Sequence, residues 1–418
     1  PISHLPSPIS HLPSPISHLP STPLTPVPLN ITHVITRLIV GGAQENTIDS
    51  VLGLRTNPNF NLHLISGPTS GPEGSLEPQV SRIPGLLTVV PSLVRPIHPW
   101  HDARALQQLT RHLKQQQPHI VHTHSGKAGL LGRIAARQAR VPTIIHSVHG
   151  PSFGSFQGAL PNLCFRAAER FAGRYTHHFV VVANAMRDQY LAAGIGQPHQ
   201  YTRIFSGFNL TPYLNACPSA NAKQKYGFSP EHCVAGMIAR LFKLKGHDDL
   251  LDIAPDLLQQ NPNLRFLIVG DGSWRQRLEA KASQLNVRES FHFTGLVPPA
   301  TIPAHLESMD LLVHLSRREG LPRSIPQALA AKVPVIAYDC DGASEACLNN
   351  HTGFLVQPGN HNHLKQRILQ LASDPSLRQQ LGQQGRQFVE NHFSTRQMVD
   401  NLALLYQSLG ARPQSPPK

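Results

Sequence analysis

Ser316-Arg-Arg-Glu-Gly-Leu-Pro-Arg-Ser-Ile-Pro-Gln-Ala-Leu-Ala330 follows the apolar run Leu311–Leu315. An apolar strand, a polar loop with one glycine and a helix with proline near its start make the repeating unit of a parallel α/β sheet. Glu319 stands at the loop entry, where a carboxylate can accept hydrogen bonds from the hydroxyls of a polyol. Gln327 lies eight residues later, in the first helical turn. A helix start aimed at a cleft offers unpaired N–H groups and the positive end of its dipole to an anion. Ser324 and Gln327 also fit a capping box, in which each side chain satisfies a backbone amide, with Pro326 inside the first turn. The sequence leaves both readings of Gln327 open.

The same unit recurs on either side. Strands are expected at Thr32–Val40, Leu62–Ser66, His119–Thr123, Pro142–Val148, His178–Ala183 and Arg203–Phe205, with helices such as Ala103–Lys114, Gly126–Arg140 and Asn162–Gly173 between them. A second series runs through Val234–Ala239, Arg265–Gly270, Phe291–Thr294, Leu311–Leu315 and Val333–Tyr338. This alternation makes the fold class α/β, with two parallel-sheet domains in tandem and a ligand cleft between them. Residues 30–210 form the first domain and 230–393 the second, joined by a linker at 211–229 that is rich in Pro, Asn, Ala and Ser without periodicity. Ser394 and Gln397 suggest a capping box, and Met398, Leu402, Leu405 and Leu409 give the apolar face of a last helix over 394–410.

The chain opens with three identical copies of Pro-Ile-Ser-His-Leu-Pro-Ser, and two prolines per copy forbid a coiled coil despite the seven-residue period. Residues 1–28 are expected to be an extended, disordered tail without chemistry, and they lack the charged start and apolar core of a signal peptide. No run approaches the ~18 apolar residues of a spanning helix. Five scattered cysteines without a C-x-x-C pair exclude a disulfide scaffold or a cysteine-based zinc site and suit a cytoplasmic protein. The net charge of +13 favours an anionic partner: nucleic acid, a phosphorylated small molecule or an acidic membrane surface. Nucleic acid is the weaker choice, because no aromatic residues interleave a basic surface.

Several further groups are candidates. In Gly236-Met-Ile-Ala-Arg240-Leu-Phe-Lys-Leu-Lys245-Gly246, Arg240 and Lys245 bracket a loop at a strand's carboxyl end, where open α/β sheets bind ligands. A guanidinium fork and an ammonium point charge both suit phosphate oxygens, although such a pair is also common on solvated surfaces. Gly41 and Gly42 follow a strand and precede a helix, which permits close backbone approach to phosphate or simply a turn. Ser125-Gly126-Lys127 fails the P-loop pattern because Val121 stands where glycine is required. His122, His124, His146 and His149 end neighbouring strands and invite a metal test, but no companion acid emerges at later strand ends. No metal is expected there, and His149 is read as a lining residue of the cleft. Asp339-Cys-Asp341 has the spacing of a two-carboxylate metal clamp, a short pattern frequent by chance. Arg133, Arg137 and Arg140 are read as one helical face, a solvated stripe or a dock for anionic lipid.

Taken in order, these motifs resemble the family 4 retaining glycosyltransferases, whose GT-B architecture sets two Rossmann-like domains across a cleft with a C-terminal helix crossing back. The resemblance covers about residues 30–410. It rests on Arg37-Leu-Ile-Val-Gly-Gly-Ala-Gln-Glu-Asn46, His122-Thr-His-Ser-Gly-Lys-Ala-Gly-Leu-Leu-Gly-Arg133, Ser147-Val-His149-Gly150, Arg240 with Lys245-Gly246, and Val269-Gly-Asp-Gly272. Glu319-Gly-Leu-Pro322 with Gln327-Ala-Leu-Ala330, Gly342-Ala-Ser-Glu345 and Thr352-Gly-Phe-Leu-Val356 complete it.

The resemblance implies an enzyme that moves a sugar from a nucleotide-diphosphate sugar, UDP- or GDP-linked, to a glycan or lipid-linked acceptor in envelope polysaccharide synthesis. It implies no cofactor and no metal. Arg240 and Lys245 would neutralise the diphosphate, helped by amides near Gly320 and Leu321, and Gly42 would lie near the phosphates. Glu319 matches the first carboxylate of the family's E-x7-E motif, which contacts the donor sugar, and His149 matches a cleft histidine beside that sugar. Gln327 departs from the motif's second Glu, which binds ribose; it keeps a carbonyl acceptor and loses the charge, so ribose binding should weaken. The basic first domain would bind the acceptor, with Arg133, Arg137 and Arg140 toward the inner face of the cytoplasmic membrane. Two other functions fit the same pattern: a nucleotide-sugar epimerase of this architecture, or a non-catalytic nucleotide-sugar or glycan-binding protein.

Overall fold

The computed structural model describes residues 28–69, 74–150, 152–154 and 156–410; the repeat tail up to residue 27 and the chain after Gly410 lie outside the described residues. The first domain is a seven-stranded sheet of β1 (Leu29–Ile35), β2 (Phe60–Ser66), β3 (Leu87–Val89), β4 (Ile120–His124), β5 (Thr143–Val148), β6 (His178–Val181) and β7 (Tyr201–Arg203). Its spatial order is β3-β2-β1-β4-β5-β6-β7. The second domain has six strands, β8 (Cys233–Ile238), β9 (Leu264–Val269), β10 (Phe291–Phe293), β11 (Leu311–His314), β12 (Val335–Tyr338) and β13 (Gly353–Val356), in the order β10-β9-β8-β11-β12-β13. All strand pairings within the two sheets are parallel. The architecture is the expected tandem of doubly wound α/β sheets. Each sheet reverses its winding next to its first strand, between β1 and β4 and between β8 and β11, and that crevice is where such sheets bind ligands.

Long apolar runs such as Ile31, Val34 and Ile35 or Leu311, Leu312 and Val313 become strands buried on both faces, because helices cover each side. Two strands carry little signal in the sequence. β3 is three half-exposed residues at a sheet edge, and β13 begins with a glycine. Residues 211–229, without visible periodicity, hold two short helices, Thr211–Asn215 and Ala220–Gln224. Tyr213, Ala216, Tyr226 and Phe228 anchor this segment in the second domain's core beside Val234 and Leu312.

The last helix, Thr395–Gly410, returns to the first domain and buries Met398, Leu402, Tyr406 and Leu409 against Ile31, Ile35 and Phe60. Tyr406 replaces the expected Leu405 in the buried stripe, and Leu405 packs only at its margin. At the helix start the Gln397 amide donates to Ser394 Oγ at 3.1 Å, which is one half of the expected capping box. No helix among the described residues is long and apolar enough to cross a membrane.

The arginine stripe is corrected. Arg133 is fully buried on the helix Gly126–Gln138, while Arg137 is exposed and Arg140 lies beyond the helix end with φ +55°. Arg133 donates to Glu169 Oε2 at 2.6 Å and to the Gly129 carbonyl at 2.7 Å. A charge count along one helix cannot see Glu169, which arrives from the helix Ala159–Gly173. A buried guanidinium is tolerated only when so paired, and removing one partner costs about 3–5 kcal/mol. Glu169→Ala should therefore destabilise the protein by about that much in chemical denaturation. A change within the usual range of surface substitutions would show that the pair is solvated.

Candidate functional site

The two strands flanking the second domain's reversal supply the first candidates. The loop after β8 carries Arg240 and Lys245, and the loop after β11 carries Glu319, Gly320 and Leu321. Arg240, Lys245, Glu319 and Gly320 line one cavity of 580 Å³, with Gly150 from the first domain and Trp274 among the other walls. Residues distant in sequence thus meet because β8 and β11 are neighbours.

Lys245 Nζ is bonded to Glu319 Oε1 and lies 3.4 Å from Ser316 Oγ. Burial pushes the Glu319 carboxyl up, but the Lys245 charge beside it and hydrogen bonds from Lys245 and Ser316 together hold it below its ordinary range. His314 Nε2 is 3.8 Å from the same oxygen, and burial brings that imidazole down to about 4, so it stays neutral. Arg240 is exposed, with its guanidinium 5.1 Å from the Phe242 ring centroid, and it pairs with no acid among the described residues. The cavity therefore presents a free cation at its rim and a cation already engaged by a carboxylate inside.

The domains meet at this cavity. A Cβ on Gly320 would fall 1.8 Å from the His149 carbonyl oxygen, so the loop after β5 lies directly on the loop after β11. His149 thereby joins the site through its backbone, with its ring partly exposed. Leu321 inserts between the cores of the two domains. Gly42 opens the helix Gly42–Leu54, and a Cβ there would sit 3.3 Å from Arg323 Cδ. It faces the second domain but does not line the 580 Å³ cavity.

Gln327 does not cap its helix. Its Nε2 donates to the Tyr213 hydroxyl at 2.9 Å, and Ser324 Oγ is bonded instead to His314 Nδ1 at 3.1 Å. The capping box is lost because both side chains find buried partners that lie far away in sequence. The helix Ser324–Ala330 is only seven residues long.

Sequence reasoning missed the latches across the cleft. Asp341 Oδ2 accepts from the Glu319 amide at 2.8 Å, and its Oδ1 accepts from Gln189 of the first domain at 2.7 Å. Arg323 pairs with Glu45, and Arg203 with Glu345 at 3.0 Å. Asp339 instead accepts from Gln357 at 3.1 Å, so the two carboxylates of Asp339-Cys-Asp341 serve different partners and form no clamp. Only pairing between the domains could reveal these contacts, and no local pattern encodes it.

The four strand-end histidines part company. His146 bonds Thr123 at 2.9 Å on one face of the sheet, while His33, which the sequence did not single out, joins His122 and His124 on the other. Ring nitrogens of His33, His122 and His124 lie within 4.8 Å of one another and are buried. Among the described residues this is the one group of three with metal-ligand spacing. The nitrogens of these rings already pair with one another or with Tyr406, Ser147 and His149.

A second cavity, of 540 Å³, opens in the first domain between the helices Gly126–Gln138 and Ala159–Gly173. Arg37, Arg95, Lys127, Ser152 and Phe165 are among its lining residues.

Comparison with known proteins agrees with this architecture. Residues 219–388 match the model "Glycosyl transferases group 1", and residues 60–204 match "Glycosyl transferase 4-like domain". The chain belongs to the family 4 glycosyltransferases of GT-B fold. It is 27% identical over 382 residues to the Escherichia coli UDP-Gal:alpha-D-GlcNAc-diphosphoundecaprenol alpha-1,3-galactosyltransferase, covering 90% of this chain and 96% of that one. It is 25% identical to the capsular polysaccharide biosynthesis glycosyltransferase CapM of Staphylococcus aureus, covering 76% and 84%. The crystal structure of Anabaena HepE in complex with UDP and glucose superposes with a TM-score of 0.76 at 21% identity, covering 91% of this chain and 100% of that one.

The histidines make stability depend on pH. Burial lowers His33 to about 3 and His149 and His314 to about 4, and it lowers His122, His124 and His146 well below their ordinary value. Below the unfolded value of 6.5 the unfolded chain takes up protons that the folded one refuses. The stabilisation is thus complete above pH 6.5 and drains away as pH falls toward the folded values. Calorimetry should show Tm dropping from about pH 6.5 downward with a slope above one proton per molecule. A flat Tm between neutral pH and pH 5 would mean that the rings are already charged in the fold.

Proposed function

We propose that this glycosyltransferase takes its sugar from a UDP- or GDP-sugar and passes it, with retention and without a metal, to a glycan or lipid-linked acceptor. The observation that carries the reading is the 580 Å³ cavity holding Arg240, Lys245 and Glu319 together. Breaking a sugar–diphosphate bond leaves growing negative charge on the phosphate, and preplaced cations stabilise it without reorganisation. Arg240 at the rim meets the diphosphate first. Lys245 then exchanges Glu319 for phosphate oxygen, and the released carboxylate is free to accept a sugar hydroxyl. Support comes also from the galactosyltransferase relative, whose name specifies a UDP-sugar donor, and from the structural neighbour that holds UDP. His149, whose backbone packs on Gly320, and Gly42, at the start of its helix, stand beside this cavity rather than in its lining, and Gln327 keeps its carbonyl for ribose while its amide holds Tyr213.

The acceptor enters the 540 Å³ cavity of the first domain. Ile97 lines it, and Trp100 follows on the helix Pro99–Gln116. Leu160 and Leu163 share a helix with lining residues Phe165 and Ala168. These four apolar residues are 75%, 79%, 71% and 63% exposed. With Arg95 beside them they suit the headgroup region of an anionic membrane on the cytoplasmic side, the role first read into Arg133, Arg137 and Arg140.

The deciding experiment offers the full chain a panel of UDP- and GDP-sugars and follows free UDP or GDP. Release with one donor, abolished by Glu319→Ala, is expected. Isomerised donor without nucleotide loss would instead make it an epimerase, and thermal protection by a nucleotide without turnover, even with lipid-linked acceptor supplied, a binding protein. Arg240→Ala and Lys245→Ala should each weaken nucleotide binding by about 1.5–3 kcal/mol in calorimetric titration. Unchanged affinity removes that residue from the site. Gln327→Glu should tighten donor binding, since the charged acceptor is stronger and Tyr213 can turn its hydroxyl to donate; weaker binding would mean that the Gln327 amide matters only for holding Tyr213.

A further inference from the structure

Parallel register places His33 beside His122, and His124 beside Ser147, on one face of the first sheet. The returning helix Thr395–Gly410 lays Tyr406 onto that face. The polar atoms form one unbroken chain. His149 Nε2 lies 3.1 Å from His124 Nδ1, and His124 Nε2 lies 2.9 Å from His33 Nδ1. His33 Nε2 is 3.2 Å from the Tyr406 hydroxyl, which is 2.5 Å from His122 Nδ1. His122 Nε2 ends the chain 2.8 Å from Ser147 Oγ. All its members except His149 are buried.

Each contact needs one proton, and each neutral imidazole has one proton and one lone pair to give. Burial keeps the rings neutral. With one proton per ring, satisfying every contact at once leaves two arrangements, with all donors pointing toward His149 or all pointing away. If they point away, the Ser147 hydroxyl only accepts, and its own hydrogen, buried on β5, has no other acceptor among the hydrogen bonds described. If they point toward His149, Ser147 donates to His122, His122 to Tyr406, Tyr406 to His33, His33 to His124 and His124 to His149. The second arrangement leaves no buried hydrogen unpaired, which favours it by the cost of an unmade bond.

We propose that Ser147, His122, Tyr406, His33 and His124 form a relay of positioning residues that fixes the tautomer of His149, leaving its proton on Nδ1. Nε2 is then occupied by His124, and the Nδ1–H of this partly exposed ring is left as a hydrogen-bond donor suited to a phosphate or sugar oxygen. This rests on the reading of His149 as a donor-site residue, but the tautomer can be read without any turnover.

The test is the ring nitrogen spectrum of the full chain labelled with 15N-histidine, assigned with His149→Gln. His149 should show protonated Nδ1 and bare Nε2. Ser147→Ala removes one buried oxygen that does not line the cavity and should turn that single tautomer into a mixture. Tyr406→Phe should do the same. If transfer is observed, kcat should fall severalfold in both variants with donor KM unchanged. Wild-type His149 protonated on Nε2 would overturn the proposal, as would a tautomer unmoved in the correctly folded Ser147→Ala protein. Stoichiometric zinc in the purified chain would also overturn it, by making these rings ligands.

Discussion

The cleft is defined by one steric fact: the first domain occupies the space that side chains would need at Gly320 and Gly342 of the second. Gly320 has the His149 carbonyl where its Cβ would be, and Gly342 has the Gly320 carbonyl at 2.1 Å and Ala183 Cβ at 2.8 Å from that position. Any larger residue would push the domains apart and with them the loops that hold Glu319 and His149. The ion pair Arg323–Glu45 and the Asp341–Gln189 bond then hold the approach from two sides. Such interdomain pairs are individually weak, but the close contact excludes water between them, which strengthens each.

Inside that frame the charges are arranged by how much water they keep. Arg133 has none and is matched by Glu169. Lys245 and Glu319 keep some, and hold each other. Arg240 keeps most and leans on an aromatic ring. A ligand anion gains little by displacing a fully buried pair, because the stranded partner would be left uncompensated. It gains most where one cation is exposed and the next is shared with a movable carboxylate. This gradient separates the cations of the cavity from the buried structural one, although all are alike in a charge count.

The sequence made the tandem α/β architecture legible because buried parallel strands are apolar runs with a fixed relation to the loops after them. Most elements appear within a few residues of their expected bounds. The loop residues Arg240, Lys245, Glu319 and Gly320 were legible for the same reason, since they follow strands that turned out to be adjacent. What escaped depends on partners remote in the chain. Gln327 matched a local cap but found Tyr213, and Arg133 matched a surface stripe but found Glu169. Leu405 fitted a helical spacing, yet Tyr406 was drawn inward because its hydroxyl could be satisfied between His33 and His122. Local pattern predicts which residues are buried by hydrophobicity; it does not predict which polar groups are buried by pairing.

Tyr406 also explains why the chain must cross back. An apolar residue there would seal the face of the first sheet equally well, but it would leave His33 Nε2 and His122 Nδ1 unpaired in a site where water does not reach. The hydroxyl accepts from one ring and donates to the other, a task that a single apolar contact cannot perform. The helix that carries it begins at Thr395, at the domain junction, where the Phe208 amide donates to the Phe393 carbonyl at 3.0 Å and the Thr395 amide donates to the Phe208 carbonyl at 3.3 Å. One segment thus touches the junction at its start and the buried histidines near its end.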